Sequence, residues 1–156
     1  MTHEQLLLEA IHLAEQHSAR GDNGPFGAVI ARNDEIVGRG WNQVVSSHDA
    51  TAHAEVMAIR DAGTALGTHQ LDGCILYSSC EPCAMCLSAI YWARIGTVYY
   101  AATIADADHA DFDDGSIYRE LARPWNEREV AGFNLLRERG QQVFERWLDN
   151  PDRVQY

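Results

Sequence analysis

"CILYSSCEPCAMCLSAIYWARIGTVYYAA", residues 74–102, sets two strand-like runs on either side of a helix-like one. "CILYSS" (74–79) is a short apolar run behind Gly73, the pattern of a buried strand. Glu81-Pro82 opens a helix that runs to about Arg94. "TVYYAA" (97–102), rich in β-branched and aromatic residues, is the next strand.

Upstream, residues 4–20 bring Leu6, Leu7, Ala10, Ile11, Leu13 and Ala14 to helical spacing, and "GDNGP" (21–25) stops that helix. "FGAVIAR" and "EIVGRGW" flank Asn33-Asp34 as a hairpin. Residues 52–66 form a further helix, with Thr51 as N-cap and Gly67 as stop. Downstream come an acidic loop, "DADHADFDDGS", a short helix near 116–122, a strand at "VAGFNLL" and a helix over 140–149. The order predicts a single domain over 1–156: a three-layer α/β/α sandwich on a mixed central sheet of about five strands.

Charge and composition exclude several functions. The net charge is −11, a surface that repels phosphate backbones, so no nucleic-acid partner is expected. The chain holds no Lys, which removes P-loop phosphate binding and Schiff-base chemistry. "MTHEQLLLEA" is unlike a signal peptide and no apolar run approaches membrane-spanning length, so a cytoplasmic address without membrane contact is expected. Reduced thiols in that compartment bind metal more often than they form structural disulfides.

Cys80, Cys83 and Cys86 fall within seven positions. A ferredoxin-type cluster needs a fourth cysteine followed by proline, which "LSAIYWAR" lacks. A thioredoxin-like pair belongs in an earlier strand–helix unit. Zinc fits better, because "TAHAEVMAIR" supplies His53 and Glu55 in the first turn of a helix, while Pro82 puts Cys83 and Cys86 in the first turn of another. Residues two apart point to different sides of a helix body, so only an ion sitting off its end lets one ligate while the other reaches the space beside it. Two helix N-termini favour thiolate and hydroxide. His53, Cys83 and Cys86 make three protein ligands for one Zn²⁺, and an open fourth position marks a catalytic site. Glu55 is then free to move protons. H-x-E…P-C-x-x-C is the signature of zinc nucleobase deaminases.

With these motifs in hand, the chain resembles the bacterial guanine deaminases of the cytidine-deaminase-like fold over nearly its whole length. The resemblance rests on "GPFGAVIAR", "TAHAEVMAIR", "LDGCILYSSCEPCAMC", "IYWARIGTVYYAA", "FDDGSIYREL" and the terminal tyrosine. It implies that Asn42 hydrogen-bonds the base, that Phe26 and Trp92 wall the pocket, that Ala54 contributes to it, and that Asp114 reaches the substrate. It further implies a homodimer exchanging the segment 130–156, with Tyr156 of one subunit capping the other's site. The residue types alone also fit plainer roles: a turn asparagine, core aromatics, a solvated acidic turn and a frayed end. His48 and His109 sit in polar loops, and His3, His12, His17 and His69 carry no partner pattern.

The expected activity is therefore that of a zinc-dependent aminohydrolase: hydrolytic deamination of guanine to xanthine and ammonia, with Glu55 as proton shuttle and Asp114 assisting. Guanine's pairing edge offers two donors, N1–H and the 2-amino group, and an ionised carboxylate only accepts. Asp114 suits that edge and opposes the bare N1 of adenine, a mismatch worth several kcal/mol on the order of magnitude. The alternatives are a related deaminase acting on guanosine, ammeline, isocytosine, cytosine or tRNA adenosine, and a non-catalytic zinc protein, which has no use for Glu55.

Overall fold

A computed structural model describes all residues, Met1–Tyr156. Two compact units divide it, Met1–Arg119 and Glu120–Tyr156.

In the first unit, helix α1 (His3–Ser18) starts on a reciprocal cap: Thr2 Oγ1 accepts from the Gln5 amide while the Gln5 side chain accepts from the Thr2 amide. Strands β1 (Gly27–Arg32) and β2 (Glu35–Trp41) form the expected hairpin. Its turn residues, Asn33 and Asp34, both take positive φ (52° and 62°), the conformation that matches strand twist in a two-residue loop. After a one-turn helix α2 (Val44–Ser47) comes α3 (Ala54–Leu66), which Gly67 ends in the left-handed conformation. Then follow β3 (Ile75–Cys80), α4 (Ala84–Trp92) and β4 (Thr97–Ala102).

The four strands lie in the order β2-β1-β3-β4; β3 and β4 are parallel and the other pairs antiparallel. Alternation along β1 separates the two faces. Val29 and Ala31 pack with Leu6, Ala10 and Leu13 of α1, while Ala28 and Ile30 pack with Ala54, Ala58 and Ala62 of α3 and Ile90 of α4. The result is the three-layer α/β/α sandwich.

Two glycines bring α3 onto the sheet. A Cβ at Gly38 would meet the Ala58 carbonyl oxygen at 2.6 Å, and one at Gly40 would collide with the Ala54 carbonyl oxygen and the Ala58 amide nitrogen. The backbone of α3 thus rests directly on β2, and its first residue is held where the hairpin dictates.

Three expectations are corrected. The sheet has four strands rather than about five: residues 131–136 of "VAGFNLL" have no ladder partner, and Phe133 and Leu135 are 85% and 83% exposed. The N-cap of α3 is His53 rather than Thr51, whose amide and hydroxyl are both taken by Asp49 Oδ1. The acidic loop contains a helix, α5 (Ile104–His109), because Thr103 and Asp106 form a capping box. Beyond it α6 spans Asp114–Leu121.

In the second unit, a 3₁₀ turn at Trp125–Glu127 precedes α7 (Arg137–Asp149). The Arg128 guanidinium lies 4.5 Å over the Trp125 ring, and Glu120 accepts from the Glu129 amide.

Candidate active site and zinc centre

His53 and Cys83 occupy equivalent positions. Each is the N-cap of its helix, α3 and α4, with extended backbone (φ −73°, ψ 155° and φ −67°, ψ 169°), and neither side chain caps its own helix. Both side chains are therefore released from local hydrogen bonding and reach forward from the helix ends. Cys86 follows three positions after Cys83 on the first turn of α4.

The three meet. His53 Nδ1 is 3.6 Å from Cys83 Sγ and 3.5 Å from Cys86 Sγ, and all three donor atoms lie within 4.8 Å of one another. A tetrahedral zinc with bonds of about 2.3 Å to sulfur and about 2.0 Å to nitrogen separates those atoms by about 3.5 Å. The donor set fits the ion, and Nδ1 is the ligating nitrogen. Cys83 is the first thiol to ionise: the hydrogen bond from Cys86 and then that from His53 hold it down to about 4. Cys86 is pushed up by sharing that bond and by burial, and His53 is raised by its bond to Cys83. A dication replacing the shared protons leaves both sulfurs as thiolates. Cys80 stays outside this group; burial raises its thiol to about 11, and it donates to the Thr103 carbonyl.

Glu55, at the second position of α3, is buried, and burial raises its carboxyl above the ordinary range. Ser78 of β3 donates to Glu55 Oε1 at 3.4 Å.

In front of these groups lies a cavity of about 210 Å³, lined among others by Phe26, Asn42, His53, Glu55, Phe112 and Asp114. Asn42 Oδ1 accepts from the amides of Gly24 (3.3 Å) and Val44 (3.2 Å), so what Asn42 offers a ligand is its NH₂. Phe26 and Phe112 meet edge to face at 4.8 Å. Asp114, the first residue of α6, has its carboxyl raised by desolvation.

The structure thus brings together seven side chains, all of them named from the sequence: Phe26, Asn42, His53, Glu55, Cys83 and Asp114 line the cavity. Cys86 completes the donor group. Ala54 is fully buried, with its side chain in the core against β1, and is not part of the cavity lining. Trp92 ends α4 at 63% exposure and is not part of the lining described above. Tyr156 is 65% exposed at the end of the second unit. Phe112 and Glu81 line the cavity without having been anticipated, although "FDD" and "EPC" contained them. Their only sequence signal was adjacency to Asp114 and Cys83.

A buried glutamate beside a three-donor zinc group at converging helix ends is the arrangement that activates water for attack on a nucleobase. Residues 1–102 match the family described as the cytidine and deoxycytidylate deaminase zinc-binding region. The chain belongs to this family and is a zinc-dependent deaminase. Among individual relatives, it is 47% identical to the guanine deaminase of Bacillus subtilis over all 156 residues, the full length of both chains. The crystal structure of that enzyme superposes with a TM-score of 0.96, covering 100% of this chain and 99% of the other. The guanine deaminase of Nitrosomonas europaea is 31% identical, with a TM-score of 0.67 over 73% of this chain and 66% of that one. The tRNA-specific adenosine deaminase of Aquifex aeolicus is 39% identical over 102 residues, 65% of this chain and 67% of the relative.

Proposed function

We propose that the chain hydrolyses guanine to xanthine and ammonia. The observation that carries this reading is the presence of the Asp114 carboxylate in the same small cavity as Glu55 and the metal donors. An ionised carboxylate accepts from N1–H and the 2-amino group of guanine and repels the N1 acceptor of adenine. The full-length likeness to a guanine deaminase supports the same substrate. So does the size of the cavity: about 210 Å³ is below the ~300–1,000 Å³ typical of sites for larger ligands, and suits a free base.

Zinc held by His53, Cys83 and Cys86 would lower the pKa of a bound water to about 7 and so supply a nucleophile at neutral pH. The protein does the rest. Asn42 donates its NH₂ to an acceptor on the base, Asp114 takes the donors, and the Phe26–Phe112 pair shuts out bulk water along the ring. Ser78 fixes one Glu55 oxygen, which leaves the other to carry a proton. Burial raises the affinity of Glu55 for that proton, so it takes one proton from water and delivers it to N3 as the hydroxyl adds to C2, then carries the remaining hydroxyl proton to the amine, which leaves as ammonia as the C2–N bond breaks.

We also propose a homodimer that exchanges its C-terminal segment, with Tyr156 of each chain over the other's cavity. On α7, Val143, Phe144, Trp147 and Leu148 fall on one face, and Phe144 is 70% exposed. An apolar helix face of this kind is stable only when something covers it. All four thiols are free, which suits a reducing cytoplasm.

Ammonia release from guanine, guanosine, ammeline, isocytosine, cytosine, adenine and an adenosine-34 tRNA anticodon stem, with zinc measured on the same sample, tests the proposal. Guanine should give by far the highest kcat/KM. Guanine left unreacted by zinc-loaded protein refutes the substrate.

A further inference from the structure

The segment that carries Asp114 is fastened at both ends to one dipeptide. At its start, the Ile104 amide donates to Glu81 Oε2 at 3.0 Å. At its end, the Tyr118 hydroxyl donates to the Pro82 carbonyl at 2.8 Å. Glu81 and Pro82 directly precede the ligand Cys83, and the Glu81 amide is itself held by the Ala102 carbonyl at 2.9 Å. Tyr118 stands four residues after Asp114 on α6, so the two share one face of the helix.

We infer that Tyr118 is a positioning residue, whose bond to the Pro82 carbonyl holds the Asp114 carboxylate at the distance from the zinc ligands that guanine requires. This rests on the reading that Asp114 binds the base. Between these ties Phe112 packs edge-on against Phe26, whereas the polar contacts from Asp114 onward are weak. Asp108 accepts from the Gly115 amide at a long 3.4 Å, and the Asp113–Arg119 pair is exposed and 3.9 Å apart. Exposed pairs of this kind hold little. The phenol is half-buried and short-bonded, and through one turn of α6 it ties the residue that bears the substrate carboxylate to the metal turn.

The effect is on binding geometry rather than on proton transfer. Asp114 touches the base before and during reaction, so loss of its placement raises KM more than it lowers kcat. Tyr118→Phe removes the hydroxyl and keeps the ring. It should raise the KM for guanine roughly three- to tenfold, the scale of one net hydrogen bond, with kcat within about twofold and one zinc per chain retained. In an Asp114→Ala background the same substitution should change kcat/KM less than about twofold, because the group it positions is gone.

Equal losses in the two backgrounds, or loss of zinc from Tyr118→Phe, overturn the inference, since the hydroxyl would then be supporting the fold or the ligand turn. Hydrogen exchange gives a readout independent of substrate. Amides of residues 106–116 should exchange several-fold faster in zinc-loaded Tyr118→Phe than in the parent, and unchanged exchange refutes the tie. If the parent protein fails to turn over guanine, the substrate proposal falls while the exchange result still judges the tie.

Discussion

His53 Nδ1 lies 3.5 Å from Cys86 Sγ although 33 residues separate them in the chain. That closeness exists because α3 and α4 both begin at the same end of the sheet, each aiming its first residues at one point. A ligand removed from either helix start should therefore empty the site. His53→Ala and Cys86→Ala are expected to retain less than about a tenth of the parent's zinc by metal analysis, and to lose activity in proportion. Treatment with a chelator should abolish turnover, and added Zn²⁺ should restore it.

Glu55 is buried beside the donors without being one of them. Glu55→Gln preserves shape and removes the proton carrier. The variant should keep one zinc per chain and lose about 10²–10⁴-fold in kcat, the usual share of general acid–base catalysis. A near-normal rate would take Glu55 out of the mechanism.

Asp114 is assigned the donors of guanine. Asp114→Ala should lower kcat/KM for guanine at least about a hundredfold by leaving both donors unpaired, with metal content unchanged. Comparable turnover would show that the carboxylate does not touch the base.

Gly40 gives a stability prediction. Any Cβ there strikes the Ala54 carbonyl and the Ala58 amide, both backbone groups that cannot rotate away. Gly40→Ala should cost about 1–3 kcal/mol in chemical denaturation, and should weaken zinc binding because α3 carries His53. An unaffected midpoint would mean that α3 can move off the sheet freely.

The apolar face of α7 predicts assembly. The parent chain should sediment as a dimer, and the double variant Phe144→Asp, Leu148→Asp should sediment as a monomer with reduced activity. A parent that is monomeric at micromolar concentration would contradict the exchanged-segment proposal.

Local pattern was sufficient for much of this molecule. Asn33-Asp34 between two apolar runs specifies the hairpin, because few residues accept positive φ at two successive positions. "HAE" and "PCAMC" specify which residues are the metal ligands, because each motif sits at the first turn of a helix; the sheet then brings the two helix starts together. The capping box at Thr103 was equally local, and lay hidden in a run of acids that resembled a loop.

What sequence could not decide depends on surfaces supplied from far away. "VAGFNLL" has strand-forming residues, but a strand exists only where another offers an edge, and none pairs with it here. Phe112 is a cavity wall because Phe26, 86 positions earlier by number, meets it edge-on. Tyr118 matters because its hydroxyl reaches Pro82. Composition and spacing set the chemistry of the metal site, since its ligands come from two short motifs at helix starts. The shape of the substrate cavity came only with the tertiary structure, since its walls meet through packing between segments whose separation along the chain carries no signal.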